Sequence, residues 1–137
     1  MTVHAFKQQP TGEIALELQG ANMEDLFVEA VRAVSELVGE ATGDPVSPWV
    51  HEIVDSVNET DLLVVWINEL LERIEVDKLL YSEVEIDELT DKKLGARMRG
   101  KPVARLRTPV VAAHTHGSHI VKTESGISAT ITLEIQH

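Results

Sequence analysis

Residues 62–86 read LLVVWINELLERIEVDKLLYSEVEI, and their periodicity changes once along the way. Leu63, Trp66, Ile67, Leu70, Leu71 and Ile74 recur at helical spacing, which puts them on one buried face. From Leu79 the pattern switches to alternation, with Val84 and Ile86 opposite Glu83, Glu85 and Asp87. That alternation marks a half-buried strand whose carboxylates form its solvated face. A helix to about Glu75, a short acidic turn at Val76-Asp77 and a strand over 79–87 follow. Asn58-Glu59-Thr60-Asp61 precedes the helix with an N-cap and an acid three residues on.

Upstream the same cap recurs as Asn22 and Asp25, ahead of a helical face of Leu26, Phe27, Ala30, Val31, Val34, Leu37 and Val38. Gly39 and the ATGDPVSP segment end that helix. Residues 3–19 are extended, interrupted at Pro10, and Trp49 to Val57 alternates weakly as a further strand. Downstream, strands are expected over 93–99, 102–113, roughly 118–123 and 127–135. Gly100-Lys101-Pro102 and Thr123-Glu124-Ser125-Gly126 read as turns. The order implies one α+β domain over 1–137, with two amphipathic helices packed on a mixed, largely antiparallel sheet.

With no cysteine in 137 residues, disulfides, thiolate nucleophiles and Cys-type zinc sites are excluded, which fits a reducing compartment. No stretch reaches membrane-spanning length, and no cationic start leads into an apolar run; a cytoplasmic protein is expected. A net charge of −11 argues against general nucleic-acid affinity. Yet Lys92, Lys93, Arg97, Arg99, Lys101, Arg105 and Arg107 make up seven of the twelve cationic residues, with no acid between the first and last. Arg97, Arg99 and Lys101 share one strand face, and Arg105 and Arg107 are expected on the neighbouring strand of a basic hairpin. That surface either keeps the sheet soluble and guards its edge or docks an acidic partner or RNA.

His114-Thr115-His116-Gly117-Ser118-His119 is the loudest local motif. Two histidines two apart on a strand share a face and can chelate a borderline metal. The string is similar to the H-x-H-x-D-H of metallo-β-lactamase-type hydrolases, but Ser118 replaces the aspartate ligand and no Asp follows Asp91. The plainer reading is a pair of outward or partly buried strand histidines. Alternation sends His119 to the opposite face unless a bulge intervenes. A serine nucleophile elbow, a phosphate loop and a dinucleotide glycine fingerprint are all missing, so no enzyme is expected.

The 62–86 stretch also resembles the archeases. Their W-[LI]-x-E-L-L helix matches Trp66-Ile67-Asn68-Glu69-Leu70-Leu71, and the following aspartate turn and strand match Val76-Asp77 and Leu79-Leu80-Tyr81-Ser82-Glu83-Val84. Gly95-Ala96-Arg97-Met98-Arg99-Gly100 is similar to their Gly-x-Arg-x-Arg-Gly strand. Thr115-His116-Gly117 resembles their aromatic-His-Gly strand, and Leu133-Glu134-Ile135 their hydrophobic-Asp-Ile ending.

Archeases are accessory proteins that activate the GTP-dependent ligase of tRNA splicing and RNA repair, promoting its guanylylation and multiple turnover. The resemblance therefore implies an RNA ligase as protein partner, with RNA or nucleotide met indirectly. It further implies a divalent cation (calcium, or manganese or magnesium) at an acidic site. The family's Asp-His-Thr-Ala-Asp segment aligns with Gln9-Pro10-Thr11-Gly12-Glu13, its terminal Asp with Glu134, and its lysine with Val111. The implied metal residues are thus Glu13 and Glu134, with His114 and His116 as a weaker pair. Partner contacts fall to Arg97, Arg99, Lys101, Arg105 and Arg107. The alternative is an archease-fold binding or chaperone-like adaptor module with a degenerate metal site and another protein partner.

Overall fold

The computed structural model describes residues 3–45 and 49–136; Val46, Ser47 and Pro48, in the segment expected to follow the first helix, lie outside them. In chain order the elements are β1 (Val3–Gln8), β2 (Ile14–Gly20), α1 (Met23–Val38), β3 (Gly39–Ala41), β4 (Val50–Asp55) and α2 (Glu59–Asp77). They continue as β5 (Leu79–Leu89), β6 (Lys93–Leu106), β7 (Val110–Thr123) and β8 (Gly126–Ile135).

Both helices start where their caps predict. Asn22 Oδ1 accepts from the Asp25 N–H and Asn58 Oδ1 from the Asp61 N–H, each at 2.9 Å. α2 runs on past Glu75 and stops at Lys78, whose φ of +58° is left-handed. The chain turns there because the Lys78 N–H reaches Ile74 O at 3.0 Å and Tyr81 Oη donates to Asp77 at 2.6 Å. This fixes the helix-to-strand switch that the sequence announces.

The α+β class stands, with two helices on antiparallel sheet. The expected single mixed sheet, however, is two sheets whose described pairings are all antiparallel. One runs β1-β2-β8-β7. The other is built on β6, with β5 along one edge and β4 and β3 sharing the opposite edge. Short links between successive strands favour antiparallel pairing. The chain leaves the second sheet at Arg107, whose N–H bonds to Val38 O at 2.7 Å, just before Pro109.

Gly100-Lys101-Pro102 is not a turn. It lies inside the continuous β6, and Gly100 marks a close approach, since a Cβ there would stand 2.6 Å from Leu80 O on β5. Arg105 and Arg107 therefore do not return on a neighbouring strand. Arg105 continues β6 beside Arg97, Arg99 and Lys101, with Arg107 just beyond its end.

One core joins the layers. α1 lies against β5 and β2, and α2 against β7. Trp66, Phe27, Tyr81, Leu16, Leu70 and Met98 are fully buried in it. Two polar bonds fix the layer geometry: Trp66 Nε1 donates to Phe27 O at 3.2 Å, and Ser35 Oγ to Tyr81 O at 2.8 Å.

The outer strand β1 is held to α1 by His4, which sits between the carboxylates of Glu29 and Glu36 (the latter at 2.7 Å). Arg32 lies 4.0 Å from the buried Glu29. Burial alone would lower the imidazole's pKa, but the hydrogen bonds and charges of Glu29 and Glu36 outweigh it and raise the pKa above 6.5. Stability from this clamp is thus fully present below pH 6.5 and is lost as pH rises through the folded-state value. Thermal melts at pH 5.5 and 8.5 should show a loss of stability on the alkaline side that His4→Gln removes. An unchanged pH difference in the variant would mean the clamp contributes nothing.

Candidate functional site

The pairing of β2 with β8 places Ile14 opposite Leu133, and Glu13 and Glu134 are the next residues beyond that last pair of the ladder. Like charges on neighbouring strand ends repel. Here each carboxylate is held by an imidazole. Glu134 Oε1 lies 2.6 Å from His114 Nε2, and Glu13 Oε2 lies 3.2 Å from His116 Nε2. The two rings stack with centroids 5.1 Å apart and an interplanar angle of 20°. The acidic pair and the histidine pair, separate in the sequence, thus form one cluster at the surface.

Local structure braces each member. Glu13 closes a turn in which Gln9 N bonds Glu13 O at 2.9 Å, and its Oε1 accepts from the Thr11 hydroxyl at 3.1 Å. On β7 the register breaks between His114 and His119, so residues 115–118 stand opposite Ile131 alone. A bulge thus intervenes between His114 and His119, and plain alternation does not hold across the motif. Gly117 takes φ +72°, and a Cβ there would lie 2.9 Å from Thr132 Oγ1. Ser118 Oγ closes the bulge by donating to His114 O at 2.6 Å and accepting from the Thr132 N–H at 3.0 Å. The serine that departs from the hydrolase pattern therefore has a backbone role.

Behind the cluster, Asn68 of α2 acts as a substitute strand for the edge of β7. Its Oδ1 accepts from the Ala113 N–H at 2.7 Å, and its Nδ2 donates to Ala113 O at 3.0 Å. The bracing roles of Asn68, Ser118 and Thr11 escaped the sequence reading. A lone asparagine on a helix otherwise packed on its neighbours is the only signal that could have marked the first.

Chemically, the cluster offers two imidazole nitrogens and two carboxylates at an accessible surface. Ionised carboxylates only accept, so each Nε2 carries the shared proton. Among the described residues no three His, Asp or Glu side chains are assembled as a ready cage for a metal. Calcium takes six to eight oxygens and magnesium a near-ideal octahedron. Two carboxylates whose oxygens already bond His114, His116 and Thr11 do not fit that demand.

The basic strand is internally neutralised. Arg97 pairs with Glu85 and Asp87 at 2.7 and 3.0 Å, and Arg99 bonds Glu83 at 2.8 Å while lying 4.8 Å over the Trp49 ring. Arg105 reaches Glu40 at 3.0 Å, and Arg107 also pairs with Glu40 and donates to Glu36 O at 3.1 Å. Those arginines hold the Glu40 carboxyl below the usual carboxylate range, chiefly through the Arg107 hydrogen bond. Of the five residues expected to meet a partner, only Lys101 has no carboxylate partner among the described residues. The strand forms a mixed-charge face rather than a free cationic one.

The family model described as the archease protein family matches residues 7–135. The chain belongs to the archease family. The protein archease of Methanopyrus kandleri is 29% identical over 122 residues, covering 85% of this chain and 87% of that protein. The fold is shared with the solution structure of Methanobacterium thermoautotrophicum protein 1598, at a TM-score of 0.73 and 22% identity, covering 96% of this chain and 97% of that one. In this archease Val111 is 50% exposed. It lines an apolar groove of about 450 Å³ with Leu71, Leu106 and Pro109. None of the described helices is long and apolar enough to cross a membrane.

Proposed function

We propose that this archease is a non-enzymatic accessory protein of a GTP-dependent RNA ligase in tRNA splicing or RNA repair. In this reading it promotes the ligase's guanylylation and turnover in the cytoplasm, and meets RNA or nucleotide only through that partner. The reading rests on family membership together with one observation: Glu13 and Glu134, the acidic pair that the resemblance singles out, are joined in one surface cluster through the stacked His116 and His114. Such a surface can bear on a positively charged groove of the ligase through the Glu13–His116 and Glu134–His114 pairs. Contacts through Arg97, Arg99, Arg105 and Arg107 would exchange internal carboxylates for those of the partner or for phosphates. Lys101 needs no such exchange. No step is routed through a bound cation, because the donor set does not suit calcium or magnesium.

A second reading keeps the fold and changes the partner. It is favoured by Gln9, Pro10 and Val111, which stand where the family has Asp, His and Lys. In that case the protein is an adaptor or chaperone-like module. The two part in a multiple-turnover RNA-joining assay using the GTP-dependent ligase of the same organism. Addition of this protein is expected to convert a ligase that stalls after about one turnover into one that cycles. Identical progress curves with and without it would leave the adaptor reading.

A further inference from the structure

We infer that the apolar groove at the exit of β6 is a docking cleft for the ligase, taking an apolar side chain that the ligase presents next to a carboxylate. This rests on the ligase reading above and adds a second contact, separate from the glutamate–histidine cluster.

The groove opens where the two sheets hand over to one another. The last turns of α2 contribute Leu71 and Ile74, β6 contributes Val103 and Leu106, and the entry to β7 contributes Pro109 and Val111. Leu106 is 68% exposed and Val111 50%, so two large apolar side chains left uncovered by the core stand together over about 450 Å³. Apolar surface gathered in one place and rimmed by polar groups is what a protein partner covers. The backbone around it is already fixed. The N–H groups of Arg107, Val110, Gln136 and Val103 bond the carbonyls of Val38, Thr108, Pro109 and Lys78 at 2.7, 3.0, 2.9 and 3.2 Å. A cleft held in shape before binding loses little entropy when it is filled.

Charge names the chemistry of the occupant. The chain carries −11, yet the groove does not share that sign. Glu40 is the carboxylate of both Arg105 and Arg107, so one positive charge is left over beside the groove. Lys78 and Glu75, both exposed, line it as well and balance each other in sign. The lysine ion pairs among the described residues belong to Lys7, Lys93 and Lys122, so Lys78 Nζ has a bond to offer a partner. This local excess of positive charge selects a carboxylate beside the apolar anchor. Two copies of this chain, each at −11, repel one another and make a poorer fit. Position points to the ligase. Val111 precedes Ala112, which pairs with Glu134 across β7 and β8, and Gln136 lines the groove two residues after Glu134. One ligase surface therefore reaches groove and cluster together.

The test measures binding of the same organism's ligase to the full chain by calorimetry, beside multiple-turnover RNA joining. Leu106→Asp and Val111→Asp, both at exposed positions and checked for fold by circular dichroism, are each expected to weaken binding at least tenfold. Lys78→Gln should weaken it about two- to fivefold and flatten its dependence on salt. Val57→Asp, at a residue 71% exposed ahead of α2 and so at the opposite end of that helix from the groove, should bind as wild type does. Should an aspartate variant melt early, Leu106→Ser, which only removes the anchor surface, carries the same test. Groove variants that bind the ligase as tightly as wild type would overturn the cleft. So would a chain that sediments as a dimer which Leu106→Asp dissociates, since the groove would then belong to a second copy. Failure here is separable from failure of the ligase reading. Wild-type affinity and full stimulation by the groove variants remove the cleft alone. Ligase binding that depends on the groove, with no stimulation of turnover, removes the activator reading alone. A wild-type chain that neither binds nor stimulates the ligase removes both.

Discussion

Replacing Trp66 with alanine should destabilise the fold by about 3–5 kcal/mol, the range for emptying a large aromatic site in a close-packed core. Trp66 is fully buried between α1 and the sheets, among Phe27, Leu70 and Tyr81 in the core cluster. Its indole also fills a polar role, donating to Phe27 O at 3.2 Å from one helix to the other. Truncation opens a cavity and removes the cross-helix bond, while Phe27 O keeps its partner within α1, so the cost is set mainly by the cavity. Trp66→Phe restores most of the volume and forfeits only the hydrogen bond and some contact, for a loss of about 1–3 kcal/mol. Urea unfolding monitored by circular dichroism measures both. A Trp66→Ala midpoint within about 1 kcal/mol of wild type would contradict the packing described.

Asn68→Leu should cost about 2–4 kcal/mol although it adds apolar volume to the helix, because two backbone groups lose their partners at once. Ala113 is buried, at 4% exposure, so water does not readily replace Asn68 there. The substitution should also accelerate hydrogen exchange at the Ala113 amide more than at other β7 amides. His114 is the next residue on that strand, so loosening this edge reaches the cluster. Amide exchange at Ala113 that stays at the wild-type rate would show that another group, not Asn68, protects it.

Helix positions, caps and most strands were legible because they depend on local patterns. Asn22 and Asn58 cap as their spacing requires, and the switch from helical to alternating period near Asp77 is where the chain turns. Strand continuity was less legible. Gly100 and Pro102 look like a turn in isolation, and only the close approach of Leu80, from another strand, explains a glycine inside β6. Whether there are one or two sheets is likewise decided by long-range pairing. The alternating basic residues were visible, but their partners Glu40, Glu83, Glu85 and Asp87 lie up to 67 residues away in sequence, so neutralisation could not be read. At the site, all four side chains were identifiable as ligand types. Their union depends on the β2–β8 register and on a bulge at Gly117 and Ser118, and neither is a local property of the residues concerned.

The assembled cluster is the part of the molecule on which the functional account turns. The most direct measurement is multiple-turnover RNA joining by the organism's GTP-dependent ligase with wild-type protein beside the Glu13→Gln/Glu134→Gln double variant, each verified to melt within a few degrees of the other. Both glutamates are surface groups, so the fold should survive the change. Wild type is expected to restore cycling, and the double variant to fall at least tenfold in stimulated turnover. A double variant that stimulates as well as wild type would contradict the assignment of function to this cluster.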